Sequence, residues 1–357
     1  MEIFRRKTKK IKVGNLYIGG DSEISIQGMT KVSSSNIPLL LQQVKKMIEA
    51  GAELIRISIL KEEDTNSIPI LKEKFSIPIV TDIHYNYKFA ISSIHKGADK
   101  IRINPGNIKK QDLKKIIYEA KKTNTPIRIG INSGSIKIKN SIVKSMIQNA
   151  MDTIKFFQDN DFHSIIISLK TPFVRETIES YREMAEMCDY PFHLGITEAG
   201  TGYLGESKSI VGIGSLLLHG IGDTIRVSLT DSPIKEILIA RAILQSLNLR
   251  KFEPEIISCP TCGRIQVDLK KIVKEAKEKI SKLVKEYHDI KNMKIAIMGC
   301  SVNGPGEAKN CDIGIAGGKR KFALFKKGKI IGVYPENKII KKLIEKIIER
   351  RKNGNNL

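Results

Sequence analysis

The sequence predicts an α/β protein in which a (β/α)8 TIM-type barrel precedes a small α+β domain. A β-rich run, a polar turn and a helical pattern recur eight times between residue 23 and about residue 250 of the 357-residue chain. Strands that alternate with helices indicate a parallel sheet, and eight units match a barrel, which usually takes about 250 residues. The pattern stops after Arg250, and four of the five cysteines lie beyond it. A doubly wound open sheet is the alternative, but eight evenly spaced units favour the barrel.

The elements of the barrel follow in order. Gly14 and Asn15 separate IKV from LYI, which predicts a small hairpin before the barrel. The eight predicted strands cover residues 23–27, 54–58, 77–81, 100–103, 127–131, 164–169, 192–197 and 224–228. Helical patterns between them include residues 38–50, 108–122, 142–160 and 174–188. We therefore predict a barrel domain over residues 1–252.

Residues 253–357 are predicted as a separate domain of ordinary size. The motif CPTCGR leads into one long charged helix over residues 267–289. A strand at 294–298, a glycine-rich loop and a strand at 312–316 follow. Lys327-Gly328 predicts a hairpin, and a last helix begins near Pro335.

Composition limits the class of protein. The chain has no apolar run of the roughly 18 residues that a transmembrane helix needs. Its basic N-terminus, MEIFRRKTKK, is not followed by the apolar core of a secretory signal. We therefore expect a cytoplasmic protein with no membrane partner. In a reducing compartment, clustered cysteines more often bind metal or do redox work than form disulfides.

The formal net charge is +23, from 61 Lys and Arg against 38 Asp and Glu. Such a charge raises the possibility of nucleic-acid binding. The lysines are spread over every segment, however, and no basic stripe alternates with aromatic residues as single-strand binding requires. We interpret the charge as a matter of solubility and nonspecific association, and expect no nucleic-acid partner.

The predicted barrel mouth is rich in cations. In a barrel, the carboxyl ends of the strands and the loops after them form the active site. Five cations fall at five such ends, and guanidinium groups match phosphate oxygens in bidentate geometry. They predict a substrate with two phosphates or a diphosphate, and are Arg56, Arg102, Arg128, Lys170 and Arg226. The alternative is that some of them pair with barrel carboxylates, and alternation along the strands decides whether Arg56 and Arg226 face the interior.

Further polar residues lie at the same ends. Asp82-x-His84 has no third metal ligand at a clear spacing, so His84 is interpreted as a hydrogen-bond donor to substrate. Asn132 and Ser228 also follow strands. Glu198 comes after HLGIT and is a candidate proton donor, although a structural role in its loop is the alternative.

The cysteines predict a metal centre. Cys259-x-x-Cys262 is half of a zinc ribbon, but the chain has no second pair of this kind. Together with Cys300, the three thiolates match an iron–sulfur cluster. The fourth ligand is either Glu307, after the Gly-Pro-Gly turn, or Cys311. A carboxylate is more readily displaced from iron than a thiolate, so Glu307 suits substrate chemistry and four thiolates suit electron transfer.

The chain resembles a known family along nearly its whole length. The runs IQGMT, DIHYNYKFA, KIRINPGN, PIRIGINSGS, HLGITEAG, CPTCGR and GCSVNGPGEA, in this order, resemble the 4-hydroxy-3-methylbut-2-enyl diphosphate synthases. These are iron–sulfur oxidoreductases of the non-mevalonate isoprenoid pathway. The last two motifs together are highly specific, and the chain resembles the compact bacterial form.

The resemblance implies a homodimer in which the cluster domain of one subunit caps the barrel of the other. It implies reductive ring opening and dehydroxylation of 2-C-methyl-D-erythritol 2,4-cyclodiphosphate, with electrons from flavodoxin or ferredoxin. It further implies a 4Fe–4S cluster on Cys259, Cys262, Cys300 and Glu307. It also implies that the five cations named above bind the diphosphate, with His84, Asn132 and Ser228 nearby. We interpret Glu307 and Glu198 as catalytic.

Two positions depart from the family pattern. Lys31-Val32-Ser33-Ser34 replaces the usual Asn and nearby Asp, which puts a substrate role there in doubt. Cys311 stands where the family usually has no cysteine, and we interpret it as incidental. Two other functions are weighed against the synthase: a zinc-binding, RNA-associated protein, and a barrel synthase for pterin-like substrates with a structural cluster.

Overall fold

A computed structural model describes residues 3–139, 141–300, 308–319 and 321–354. It divides into two compact units, Met1–Arg250 and Lys251–Leu357. The strands of the first unit are β1 (Ile11–Val13), β2 (Leu16–Ile18), β3 (Ser25–Met29), β4 (Leu54–Ser58), β5 (Ile79–Ile83), β6 (Lys100–Ile103), β7 (Ile127–Asn132), β8 (Ile165–Lys170), β9 (His193–Leu194) and β10 (Thr224–Ile225).

The first unit is a closed parallel barrel. Strands β3 to β10 follow the order β8-β7-β6-β5-β4-β3-β10-β9. A parallel bridge between Ile167 of β8 and Phe192, next to β9, joins the two ends of this sheet. The barrel predicted from the alternating pattern is therefore confirmed, and the open sheet is not found.

Helices of the first unit surround this sheet. They are α1 (Ile37–Ala50), α2 (Ser67–Lys74), α3 (Tyr87–His95), α4 (Lys110–Thr123), α5 (Ile142–Asp159), α6 (Val174–Met187), α7 (Gly202–Leu218) and α8 (Pro233–Ser246). Local chemistry sets their ends: Asn36 accepts a hydrogen bond from Leu39 N (3.4 Å) at the start of α1, and Gly51 ends that helix with φ +104°. In the described segments, no helix is both long and apolar enough to cross a bilayer.

The last two barrel strands are shorter than residues 192–197 and 224–228, the ranges that the sequence predicts. A backbone oxygen and a side-chain nitrogen of other segments come close to the chain just after β9. A Cβ atom on Gly195 would lie 2.5 Å from Arg226 O and 2.6 Å from Lys170 Nζ. Only glycine therefore fits at this position, and beyond the regular strands Arg226 N still donates to Leu194 O (3.0 Å).

An apolar floor closes the amino-terminal end of the barrel. The hairpin β1–β2, predicted at Gly14-Asn15, pairs Val13 with Leu16. Its buried residues pack with interior side chains of β4, β5 and β8, namely Leu54, Val80 and Ile166. Polar groups inside the barrel consequently lie between this floor and the opposite, carboxyl end of the strands.

The second unit is one sheet with helices on one face. Its strands are β11 (Glu255–Ser258), β12 (Lys294–Met298), β13 (Ile313–Gly318), β14 (Lys321–Lys326) and β15 (Lys329–Pro335), paired in that order. The first three strands are parallel, and the hairpin predicted at Lys327-Gly328 joins the antiparallel β14 and β15. The long helix predicted at 267–289 is α9 (Leu269–Glu286), followed by a 3-10 turn (His288–Asn292), and α10 (Glu336–Gly354) is the last helix.

Candidate functional site

A polar cavity of about 250 Å³ opens at the carboxyl end of the barrel strands. Arg56 on β4 and Arg226, the residue after β10, both point toward the interior, so all five predicted cations line this cavity. The three predicted polar residues His84, Asn132 and Ser228 line it as well. We call this cavity the anion pocket, and the full lining is Met29, Arg56, Asp82, His84, Arg102, Arg128, Asn132, Ser168, Lys170, Thr197, Arg226 and Ser228.

Asp82 holds part of the cationic cluster together. Its carboxylate lies 3.0 Å from Arg102 Nη1, 3.5 Å from His84 Nε2 and 3.8 Å from Arg56 Nε. Burial by itself raises the pKa of Asp82, but Arg56, His84 and Arg102 outweigh it and hold that pKa well below its ordinary value. Burial also lowers the pKa of Arg56 to about 9, against the opposing effect of Asp82.

We predict that Asp82→Asn destabilises the fold by about 3 kcal/mol, because it leaves two buried guanidinium groups without their carboxylate. The folded-state pKa of Asp82 lies below its unfolded value of 3.8. The stabilisation is therefore fully present above that unfolded value and is lost as pH falls through the folded one. In urea denaturation, the free energy of unfolding of the variant should lie below that of the native protein by the same amount at pH 6 and at pH 8. A loss of less than about 0.5 kcal/mol relative to the native protein would contradict the prediction.

A second buried carboxylate holds Arg226 from the side of helix α8. Glu236 is 2% exposed, and its Oε2 lies 3.6 Å from Arg226 Nη2. Its Oε1 accepts a hydrogen bond from Leu229 N (2.8 Å) and lies 2.9 Å from Lys31 Nζ. Lys31, the departure from the family pattern, also donates to Leu229 O (2.6 Å), so it fastens two loops together and does not line the anion pocket.

Arg128 and Lys170 are different from the other three cations. Arg128 is 1% exposed and Lys170 is 6% exposed. Neither forms an ion pair with a carboxylate within the part of the chain that the structure describes. Burial lowers the pKa of both well below their ordinary values, and neighbouring arginines lower it further. A buried, unbalanced pair of cations favours binding of an anion at this place.

Several pocket residues were not singled out as binding residues from the sequence. Arg56 Nη2 lies 2.6 Å from the Met29 sulfur, and Thr197 lines the cavity beside Lys170. Met29 lies on the interior face of its strand, and Thr197 follows the end of another. The alternation of side chains between the two faces of a strand is the sequence signal that could have identified them.

Glu198, the predicted proton donor, does not line the anion pocket. It is exposed and follows Thr197 in the loop between β9 and α7. Its φ of +52° lies in the left-handed region, which a residue with a Cβ rarely adopts. Such strain is kept most often at functional positions.

The cysteines of the second unit follow neighbouring strands. Ser258, the last residue of β11, pairs with Ile297 of β12, so Cys259 and Cys300 both follow the carboxyl ends of adjacent parallel strands. Gly299 N donates to Cys259 Sγ (3.3 Å). Hydrogen bonds from the backbone and side chain of Arg264 lower the pKa of Cys262, which favours the thiolate that binds metal.

These donors suit an iron–sulfur group in their chemistry, since two cysteines share one sheet end and the third favours its thiolate. Within the described ranges, no three His, Cys, Asp or Glu side chains are close enough to form a metal-binding group. The proposed ligand Glu307 lies outside the described residues. Cys311 is 2% exposed and packs with Ala296, Met298 and Phe325, against which the half-buried Cys259 also packs.

Comparisons with known proteins cover both units. The GcpE TIM-barrel domain matches residues 8–241, and the GcpE protein C-terminal domain matches residues 255–349. A protein of Ruminiclostridium cellulolyticum named 4-hydroxy-3-methylbut-2-en-1-yl diphosphate synthase (flavodoxin) is 47% identical over 97% of this chain and 99% of its own length. A protein of Bacillus subtilis with the same name is 43% identical over 96% of this chain and 91% of its own.

Among solved structures, a dihydropteroate synthase from Stenotrophomonas maltophilia superimposes with a TM-score of 0.53. The superposition covers 68% of this chain and 98% of the other chain, at 14% sequence identity. At this identity the similarity shows a shared barrel fold and nothing about function. The two domain matches, in this order and over most of the sequence, agree with the relatives at more than 40% identity. The chain therefore belongs to the GcpE family.

Proposed function

We propose that this chain is a 4-hydroxy-3-methylbut-2-en-1-yl diphosphate synthase. It opens the ring of 2-C-methyl-D-erythritol 2,4-cyclodiphosphate and removes a hydroxyl group as water, with the uptake of two electrons and two protons. The product is 4-hydroxy-3-methylbut-2-enyl diphosphate, a precursor of isoprenoids. Relatives of nearly the same length carry this name, and the reaction is an oxidoreductase reaction.

One observation carries the proposal: Arg128 and Lys170 are buried in the anion pocket without a carboxylate partner among the described residues. A cyclic diphosphate supplies two negative charges to such a site. We assign its phosphates to Arg56, Arg102, Arg128, Lys170 and Arg226, with His84, Asn132 and Ser228 as hydrogen-bonding neighbours. When the ring opens, negative charge grows on the leaving phosphate oxygen, and fixed cations stabilise it.

For the redox part, we propose a 4Fe–4S cluster held by Cys259, Cys262, Cys300 and Glu307. When bound, such a cluster supplies the two electrons one at a time. The backbone N–H of Gly299, which already donates to Cys259 Sγ, is of the kind that tunes a cluster potential. The names of the relatives support flavodoxin as the electron donor, and ferredoxin is the alternative donor.

Glu198 is proposed as the residue that delivers a proton for loss of the hydroxyl group. We expect Glu198→Gln to lower kcat by about 100-fold with little change in KM, because a general acid acts in the chemical step rather than in binding. Steady-state kinetics check this result. The matched control is Glu206→Gln on helix α7, which should keep kcat within about twofold because its carboxylate is already engaged in an ion pair with Lys235 (2.6 Å). A parallel rise in KM with unchanged kcat would contradict the assignment.

A homodimer and a cytoplasmic location complete the proposal. Helix α7 presents large apolar side chains to solvent, among them Tyr203 (90% exposed), Leu204 (68%) and Leu218 (57%). We propose that this helix contributes to the interface of the homodimer. We assign substrate binding to residues 1–252 and cluster binding to residues 253–357.

The test is anaerobic turnover. The purified chain should be brown, contain iron and sulfide, and convert the cyclodiphosphate when reduced flavodoxin is supplied. A colourless protein that holds one zinc ion would instead support the zinc-binding alternative. A brown protein with reductant and cyclodiphosphate but without turnover would overturn the proposed function while leaving the cluster in place.

A further inference from the structure

A layer of polar side chains lies inside the barrel, below the anion pocket and above the apolar floor. Alternation along the strands puts Gln27 on the same interior face as Met29, and Lys100 on the same face as Arg102. Thr224 is paired with both Ser25 and His193 in adjacent strands. We call these residues the interior layer: Ser25, Gln27, Lys100, His193 and Thr224.

Every polar side-chain atom of the interior layer is buried and has no hydrogen-bond partner among the described residues. The atoms are Ser25 Oγ, both amide atoms of Gln27, Lys100 Nζ, both ring nitrogens of His193 and Thr224 Oγ1. Lys100, His193 and Thr224 are fully buried, at 0% exposure. Buried polar groups normally have a hydrogen-bond partner, so the interior layer is an exception to this rule.

Cations of the anion pocket act on the titratable groups of the interior layer. Arg128, Lys100, Lys170 and Arg56 all act on His193, and Arg128 and Arg56 act on Lys100. Of the other groups nearby, Asp82 is engaged with Arg102 and Arg56, and the Tyr181 hydroxyl donates to His193 O (2.6 Å). Burial first, and these cations second, hold the pKa values of Lys100 and His193 well below their ordinary values.

We propose that the interior layer is a proton-binding site coupled to the anion pocket: when the diphosphate binds above it, Lys100 and His193 together take up a proton from solvent. This inference rests on the proposed function. The diphosphate brings two negative charges next to Arg128 and Lys170, which opposes the part of the pKa lowering of Lys100 and His193 that the neighbouring cations cause. The proton adds to a nitrogen lone pair, no bond to substrate is made or broken, and the gained charge partly balances the bound anion.

Linkage fixes the sign of the effect. A site that gains a proton on binding makes binding tighter as pH falls, over the range between the free and bound pKa values. Each phosphate of the cyclic diphosphate has one strongly acidic hydroxyl, so the ligand itself does not titrate near neutral pH. Net proton uptake on binding therefore reports groups of the protein.

The experiment is calorimetric titration of the anaerobic holoprotein with the cyclodiphosphate, without reductant, in two buffers of different ionisation enthalpy at pH 7.5. The dependence of the observed heat on the buffer gives the number of protons taken up. We expect uptake by the native protein, and loss of that uptake in Lys100→Met and in His193→Gln. Thr224→Val, which changes the layer without removing a titratable group, is the matched control and should keep the native uptake.

Two residues of the anion pocket compete as proton acceptors: His84, which contacts Asp82, and Lys170, whose pKa burial lowers. Loss of uptake in His84→Asn with native uptake in Lys100→Met and His193→Gln would overturn the inference, as would release or no exchange of protons by the native protein. If circular dichroism shows that Lys100→Met or His193→Gln does not fold, proton uptake by the other variant still tests the inference. If the native protein does not bind the cyclodiphosphate, the proposed function itself is contradicted. If it binds but the layer variants do not reduce proton uptake, only this inference is contradicted.

Discussion

Cys300→Ser is expected to remove iron and turnover together. Cys300 follows β12 and is 8% exposed, next to Gly299, whose N–H donates to Cys259 Sγ. A serine hydroxyl stays protonated at neutral pH and binds iron poorly, whereas a thiolate is the ligand that holds such clusters. Iron and sulfide assay of the anaerobically purified variant, with turnover measured on the same sample, checks the result.

Two cysteine variants serve as controls for the metal analysis. Cys188→Ser, on the barrel unit at the end of α6, should keep native iron and native turnover. Cys311→Ala tests the alternative fourth ligand, and retention of iron supports Glu307 in that place. Native iron content in Cys300→Ser would contradict the proposed ligand set.

Arg128→Met is expected to lower kcat/KM by about 100-fold or more. The guanidinium is 1% exposed and has no carboxylate partner among the residues described, so its charge is available to a bound phosphate. Removing one member of a buried, hydrogen-bonded charge pair costs about 3 kcal/mol, which corresponds to about 100-fold. The methionine side chain keeps most of the buried volume, so the barrel should still fold.

The matched control for this variant is Arg182→Met. Arg182 is exposed on helix α6, away from the residues that line the anion pocket. It should leave kcat/KM within about twofold of native. Steady-state kinetics with reduced flavodoxin check both variants, and native kcat/KM in Arg128→Met would contradict the assignment of the anion pocket.

The repeating units and the strand ends could be predicted from the sequence because both depend on local patterns. The alternation in LIRIS and the polar residues after it placed Arg56 at the mouth, and only its direction needed the structure. The lengths of β9 and β10 were not predictable in the same way. They depend on pairing between segments that are distant in the sequence, such as those of Lys170, Gly195 and Arg226, which approach each other only in the folded barrel.

Charge pairing inside the barrel is the part that the sequence could not settle. Asp82 pairs with Arg102 and Arg56, and Glu236 reaches Arg226 from a helix. These contacts join residues from separate units of the repeat. No spacing along the sequence therefore predicts which residues pair. They matter because they leave Arg128 and Lys170 without a carboxylate partner among the described residues, and the proposed diphosphate site is centred on these two cations.

The most direct test of the central claim is a crystal structure of the anaerobic protein with the cyclodiphosphate bound and no reductant present. We expect phosphate oxygens within about 3 Å of the guanidinium of Arg128 and of Lys170 Nζ, inside the barrel mouth. Phosphates bound elsewhere on the chain, with Arg128 and Lys170 unoccupied at saturating ligand, would contradict it.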